Sequence, residues 1–362
     1  MYKELVVQVT EILYEDNQIQ LLGTSEGANK AMLYRTMLPR VSTGDKVVVN
    51  ATAVSLKLGT GGWDIVKSVG DSSVLFESEQ PGHIMKARYT PSQHSVLAVE
   101  AQESEYHSLF TKEFQLKTND NILIAELHSM LPIIYSICKQ WEREITLTVI
   151  ISDEAALPLT ISEHIREIKK DRNVSTITIG QAFGGDYEAV TLHTALQFAK
   201  EVLASDVIVV TLGPGVVGTG STYGFSGMAL AEWANSIGGL GGCPVWIPRI
   251  SFAEKRDRHY GLSHHILTPL SQFTFVKSVL PLPLLHREWN EVIDNQIKKL
   301  KHTQVEIYQD RTLNENIERL LVDGMKQYPM PIKTMGRDYD DDPAFFCAVA
   351  TAVYWVLQRL GE

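Results

Sequence analysis

Two different rhythms of apolar and polar positions divide this chain. From Met1 to about Glu79 the apolar residues come in short alternating runs, "LVVQVTEILY", "QIQLLGT", "KAMLYRTML", "KVVVNATAV" and "GWDIVKSVG", with no helical period among them. Turn-forming residues at "EDN", "STGD" and "GTGG" separate the runs. Five short strands in so little chain predict a small closed or half-closed β-barrel over residues 1–79. The barrel sequence lacks the basic, aromatic-studded face that binds oligonucleotides. It reads as an appended structural or oligomerisation module, with a homo-oligomer as one expectation. Residues 80–93, "QPGHIMKARYTPSQ", carry Pro81, Gly82 and Pro91 and are expected to form a linker.

From residue 94 the rhythm changes. Near-continuous apolar runs, "SVLAVEA", "NILIAEL", "ITLTVIIS", "VSTITIG", "DVIVVTLG", "CPVWIPRI", "FTFVKSVL" and "TQVEIY", alternate with helical patterns at Ser129–Glu142, Ile161–Asp171 and Tyr187–Ala204. Such runs mark strands buried on both faces, as in parallel sheets. The alternation predicts an α/β domain over residues 94–362, a doubly wound, mostly parallel sheet with helices on both faces. Thr160 with Glu163 predicts a capping box, Asp186 a helix N-cap, and Thr268-Pro269 another helix start. A last helix is expected from Asp342-Pro343 to Leu360, behind an acidic turn from Asp338 to Asp342.

In sheets of this kind ligands bind beyond the carboxyl ends of the strands. Three successive loops should meet that edge: "DEAALP" with Asp153, "QAFGGD" with Gly184, Gly185 and Asp186, and a loop holding five glycines in the twelve residues from Gly213 to Gly224. Glycine lets the backbone approach a ligand closely, and a helix following near Ser226 would turn its free N–H groups toward the same edge. Gly213, Gly215, Gly218 and Gly220 with the hydroxyls of Thr219, Ser221 and Thr222 are therefore the expected cradle for phosphate, pyrophosphate or carboxylate. No G-K-[ST] closes the loop and the dinucleotide fingerprint fits poorly, so no cofactor is indicated.

Net charge alters this picture in one place. The formal charge is −10, which disfavours a general nucleic-acid surface. The stretch "PRISFAEKRDRHYGLSHHILTP" from Pro248 to Pro269 is nonetheless a local basic island. Arg249, at a strand end, and Arg258 are the expected grips on an anion, with His259, His264 and His265 beside them. His264 or His265 is the expected acid/base group, oriented by Asp186 or Asp153. No metal is expected: H-E-x-x-H spacing is missing, and in an extended chain the adjacent His264 and His265 point opposite ways. His128, with Glu126 nearby, is the one further histidine at a strand-to-helix junction. No G-x-S-x-G elbow is present. The three cysteines, Cys138, Cys243 and Cys347, are far apart and read as reduced thiols. No signal-peptide pattern or membrane-length apolar run occurs, so the cytoplasm is the expected compartment and no membrane partner is expected.

Four strings in order, "AELHSMLP", "GQAFGGDYEAV", "GPGVVGTGSTYGFSG" and "RISFAEKRDRHYGLSHH", resemble a bacterial family of uncharacterised proteins, a domain of unknown function of Gram-positive genomes. The resemblance covers most of the chain and departs at Ala125, where glycine is expected. It implies no activity, cofactor or catalytic residue. From the residues themselves the leading expectation is an enzyme binding a small anionic metabolite. A nucleotide- or metabolite-binding regulatory protein and a structural assembly module are the alternatives.

Overall fold

The computed structural model describes residues 2–57, 62–70, 81–90, 92–152, 158–298, 300, 305–309 and 314–361. The chain forms two compact units, Met1–Val96 and Leu97–Glu362. In the first, β1 (Glu4–Glu15), β2 (Ile19–Thr24), β3 (Lys30–Tyr34), β4 (Lys46–Asn50) and β5 (Asp64–Val69) close into a barrel in the order β1-β2-β3-β5-β4, with the single-turn helix α1 (Thr52–Ser55) before β5. The period-2 alternation sends Val7, Val9, Leu22, Leu33, Val47, Val49 and Val66 inward. β1 serves two neighbours: Glu4–Gln8 pair with β4, and Val9–Glu15 pair with β2 through two register shifts. Such bulges bend a strand, which is what closure of a five-stranded sheet demands.

The expected linker contains structure. β6 (Ile84–Lys86) pairs antiparallel with β7 (His94–Val96) inside the first unit. "SVLAVEA" thus serves as a hairpin strand up to Val96, after which Ala98 makes one isolated parallel bridge to Glu188 in the three-residue segment Tyr187–Ala189.

The second unit is built on eight parallel strands. These are β8 (Asn121–Ala125), β9 (Leu147–Ser152), β10 (Val174–Ile179), β11 (Tyr187–Ala189), β12 (Val207–Leu212), β13 (Cys243–Trp246), β16 (Ser278–Leu282) and β17 (Val305–Gln309). Two short strands, β14 (Ile250–Ser251) and β15 (Gly261–Leu262), pair with each other outside it. The sheet order is β11-β10-β9-β12-β8-β13-β16-β17. β9 and β12 are buried at every position, as strands covered on both faces must be.

Helices cover both faces. α2 (Leu131–Trp141), α3 (Glu163–Ile168), α8 (Asn314–Gln327) and α9 (Pro343–Leu357) pack around one core, and α4 (Leu192–Glu201), α5 (Ala229–Gly239), α6 (His264–Gln272) and α7 (Arg287–Ile297) around the other. α9 is apolar around its whole circumference and buries thirteen residues, as a helix enclosed on all sides does. Its N-cap Asp342 is itself buried, accepting a hydrogen bond from Ser251 Oγ at 2.6 Å.

Several boundaries differ from the sequence reading, each for a local reason. Tyr187–Ala189 extend the sheet as an edge strand, because Asp186 is tied back to Thr176 on β10 (2.9 Å to its N, 2.8 Å to its Oγ1). The helix that follows is capped by Thr191 in a reciprocal box with Thr194. Ser162, not Thr160, caps α3 by accepting from the Ile165 amide. Ser263, not Thr268, caps α6, so Pro269 sits inside that helix.

Candidate functional site

The crossovers decide where a site can form. β8 leaves its carboxyl end toward α2 on one face, whereas its neighbours β12 and β13 leave toward α5 and α6 on the other. Connections that part to opposite faces open a crevice at the ends of those strands. The first residue past β8, Glu126, faces into it and is completely buried. Arg249, three residues past β13 and 7% exposed, donates from Nη1 to Glu126 Oε1 at 3.0 Å. His265, in the first turn of α6, donates from Nδ1 to the same oxygen at 2.5 Å. The 3.3 Å between Arg249 Nη1 and His265 Nδ1 is a meeting of two donors on one acceptor, not a further bond. Glu126 Oε2 is buried without a partner. Burial pushes the Glu126 carboxyl up, but the His265 bond and the Arg249 charge outweigh it and hold the group below its usual range.

The β14–β15 pair explains how the basic island folds back onto this edge. Ile250 pairs with Leu262, and the Ser263 amide donates to Arg249 O at 2.9 Å. Residues 252–260 therefore bulge out as a loop whose ends are pinned, returning His259 to the crevice. His259 donates from Nδ1 to Ser263 Oγ at 2.8 Å, while its Nε2 receives Arg258 Nε at 3.3 Å. His264 Nε2 is buried without a partner. One nitrogen from each of His259, His264 and His265 lies within 4.8 Å of the other two. Burial first, and then the surrounding positive charges, push His259 down to about 3 and His264 to about 4, with His265 the largest charge effect at His264. Both rings stand neutral near pH 7.

The glycine loop roofs this cluster. Phe225 stacks flat on His265 with ring centroids 4.0 Å apart and meets His264 edge-on at 5.2 Å. A side chain at Gly218 would touch the His265 ring at 3.5 Å, and one at Gly220 (φ +78°) would press on Arg258 at 3.0 Å. The absence of side chains there is what lets the loop lie on the basic island. Much of the loop's hydrogen bonding is internal. Thr219 N and Oγ1 both reach Gly224 O, Gly224 N reaches Ser221 Oγ, and Ser226 N reaches Val217 O. Gly213 is half-buried, and Gly215, Gly218, Thr219, Gly220, Ser221 and Thr222 are exposed.

The structure thus brings together Arg249, Arg258, His259, His264, His265 and the loop around Gly218 and Gly220. Other candidates stay apart. Asp186 gives Oδ2 to Thr176 and pairs through Oδ1 with Lys169 at 2.8 Å, so its carboxylate faces β10 and α3 and orients no histidine. Gly184 and Gly185 pack against Leu159 and Thr178 in the β10–β11 turn. Asp153 lies outside the described residues. His128 turns to the other face, where Nε2 meets Ser162 Oγ at 2.5 Å, and does not converge with the other histidines. Arg256 is neutralised by Glu254 at 2.7 Å, and Lys255 and Arg256 are exposed. Of the residues the structure adds to this cluster, the sequence reading passed over Phe225 and Ser263 and named Glu126 only as a neighbour of His128. Only Glu126 carried a signal: it is the first position past an apolar strand, where the carboxyl-edge rule looks.

Two cavities of about 550 and 490 Å³ lie at the opposite, amino edge among Lys117, Asp120, Asn121 and Arg359. There Lys200 and Asp120 neutralise each other at 2.8 Å, and among the described lining residues the buried polar atom without a partner is the indole Nε1 of Trp355, which does no acid–base chemistry. The carboxyl edge, with its orphan carboxylate oxygen and imidazole nitrogen, is the site we favour.

With this geometry in place, the family profile described as a protein of unknown function (DUF3866) matches residues 30–353. The chain belongs to the DUF3866 family. No curated protein and no solved structure matches it. The DUF3866 match runs from β3 of the barrel into α9 of the sheet unit and leaves β1 and β2 outside. Among the described residues no helix is long and apolar enough to cross a membrane.

Proposed function

We propose that this DUF3866 chain is an enzyme acting on a small anionic metabolite, phosphorylated or carboxylated, held at the carboxyl edge of the parallel sheet. The observation that carries this reading is Arg258. Its guanidinium stands between Gly220 and His259, exposed and with no carboxylate partner among the described residues. Arg249, by contrast, is already satisfied by Glu126. An unneutralised planar donor at the rim of an imidazole-lined crevice fits an oxyanion. The exposed loop that carries Gly220 also carries the hydroxyl of Thr222, whereas those of Thr219 and Ser221 are spent within the loop. Three imidazoles with a buried carboxylate behind one of them exceed what holding an anion requires, which favours chemistry over carriage.

The test begins with a thermal-shift screen of phosphate, sugar phosphates, nucleotides and small carboxylates. A true ligand at 100 times its Kd adds roughly 2.7 kcal/mol, and Arg258→Ala should remove that shift. A shift equally large in Arg258→Ala overturns the anion site. Any ligand found is then tested for turnover. His264→Ala should abolish it while leaving affinity within about tenfold, the Arg258 contact being kept; ligands that bind but are never turned over would make the protein a sensor.

A further inference from the structure

We propose that His259, His264 and His265 form a binding site for a divalent first-row transition ion of the zinc class, with its fourth position open toward Gly220 and Arg258. The inference deepens the function proposed above and rests on the same crevice. It departs from the sequence expectation for a physical reason. His264 and His265 do not lie in extended chain but in the first turn of α6, where neighbouring side chains diverge by only about 100°. Both rings can then address one point, and His259 is delivered to it by the pinned 252–260 loop.

Three features make the cluster a ligand set instead of a packed trio of rings. First, one nitrogen of each ring already lies within 4.8 Å of the others. A tetrahedral ion with Zn–N bonds of about 2.0–2.1 Å brings its nitrogens to roughly 3.3 Å apart, a closure of at most about 1.5 Å. Second, the tautomers are set. His265 spends Nδ1 on Glu126 and His259 spends Nδ1 on Ser263, so Nε2 is the lone-pair nitrogen of both rings; that of His259 accepts only the long 3.3 Å bond from Arg258 Nε, which an ion would displace. A carboxylate behind a ligating histidine is the usual outer-shell partner, fixing the ring and raising its basicity. Third, the remaining candidate nitrogen, His264 Nε2, is buried with nothing to bond, a cost that a ligand would remove.

The charges then specify what fills the fourth position. Glu126 and Arg249 cancel, so three neutral imidazoles would leave the ion's charge uncompensated beside Arg258. The stable occupant is an anion shared by the ion and the guanidinium, a hydroxide or an oxygen of the proposed phosphorylated or carboxylated ligand. Imidazole-only coordination suits zinc, copper, iron or nickel and not magnesium or calcium.

The experiment is a titration of the untagged, chelator-treated full chain with cobalt(II), read by the visible absorption of a tetrahedral centre. We expect one saturating equivalent, displaced by zinc. Uptake should be lost in His264→Gln and in His259→Gln, with the fold checked by circular dichroism. Glu126→Gln, a positioning change, should weaken uptake by about 10–100-fold without altering the band shape. Arg258→Ala should bind cobalt at least as tightly as the parent chain while losing the anion response, so the two readings fail separately. No saturable uptake, or uptake undiminished in both histidine variants, overturns the site. Should the variants fail to fold, zinc-edge X-ray absorption of the parent chain decides: three nitrogen neighbours support the site, and a shell of oxygens alone refutes it.

Discussion

Glu126→Ala is expected to cost the sheet unit about 3–5 kcal/mol. The carboxylate is fully buried and accepts from Arg249 and His265. Deleting it leaves a guanidinium that is only 7% exposed without its counter-charge, and breaking a buried pair from one side typically costs this much. Counting the bonds instead gives two charge-assisted hydrogen bonds at about 1.5–3 kcal/mol each, a total in the same range. Both routes agree because the dominant quantity is the desolvated Arg249, not the attraction it loses. The double variant Glu126→Leu, Arg249→Met removes both charges and should recover most of the loss. Some deficit remains, about 1–3 kcal/mol, because His265 Nδ1 keeps no acceptor. Urea unfolding followed by tryptophan fluorescence is a suitable assay, since Trp141, Trp233, Trp246, Trp289 and Trp355 belong to the sheet unit and only Trp63 to the barrel. The slope with denaturant should match the parent, so that midpoints compare stability alone. A cost below about 1 kcal/mol for Glu126→Ala, or an Arg249→Met effect that simply adds to it, would refute the reasoning. Either result would mean that water reaches the guanidinium as soon as the carboxylate leaves.

Two further predictions concern packing and pH. Burial pushes the His128 ring down to about 3, His164 adding to the effect, so the folded chain holds it neutral while the unfolded chain protonates it near 6.5. Stability should be intact above about pH 6.5 and fall as the pH drops from there toward 3, by at most about 1.4 kcal/mol per pH unit for this one proton. His128→Asn should flatten the fall between pH 6 and 4 in urea midpoints, and an unchanged slope would remove His128 as its cause. In α5, Gly238→Ala sets two effects against each other: helix propensity favours alanine by about 1 kcal/mol, but the new methyl would sit 2.6–2.7 Å from the Val276 side chain, an overpacking of about 1–3 kcal/mol. The clash should win, lowering Tm, and Gly238→Ala with Val276→Ala should restore most of the loss. A single variant more stable than the parent would show that Val276 yields freely.

The fold was legible wherever periodicity was long enough to be decisive. The five barrel runs and seven of the eight sheet strands follow the alternating or continuous apolar patterns, because strands buried on one or both faces admit few polar residues, and those, such as Thr148 and Thr176, are hydrogen-bonded. The misreadings are short. Tyr187–Ala189 is a three-residue edge strand, and "YEA" has no pattern of its own; it pairs because Asp186 reaches Thr176. Val96 ends a hairpin strand in the first unit although "SVLAVEA" looks as apolar as any sheet strand, since pairing with Ile84 is a tertiary choice. Helix starts were misplaced where several hydroxyl residues compete to cap, as with Thr160 against Ser162 and Thr268 against Ser263.

The side-chain cluster of the candidate site was legible at residue level on one side and illegible on the other, and strand order explains the difference. The rule that ligands gather at carboxyl ends singles out an edge, and every loop after a parallel strand meets that edge. Which loops meet each other depends on who sits beside whom. β12 inserts between β9 and β8, a placement that no local pattern encodes. It puts the glycine loop directly beside Glu126 and leaves β10 three strand spacings from β8, roughly 14 Å at about 4.8 Å per spacing. Gly184, Gly185 and Asp186 therefore reach that edge and still miss the crevice. On the other side of β8, its pairing with β13 makes Glu126 the carboxylate that serves His265, across 139 residues of chain. Had β12 paired outside β10, the loop would have roofed Asp186 instead. The basic island escaped this uncertainty because it begins at a strand end and is closed on itself by the Ile250–Leu262 pair: its arginines and histidines travel together wherever β13 goes, so reading them as one cluster required only the sequence.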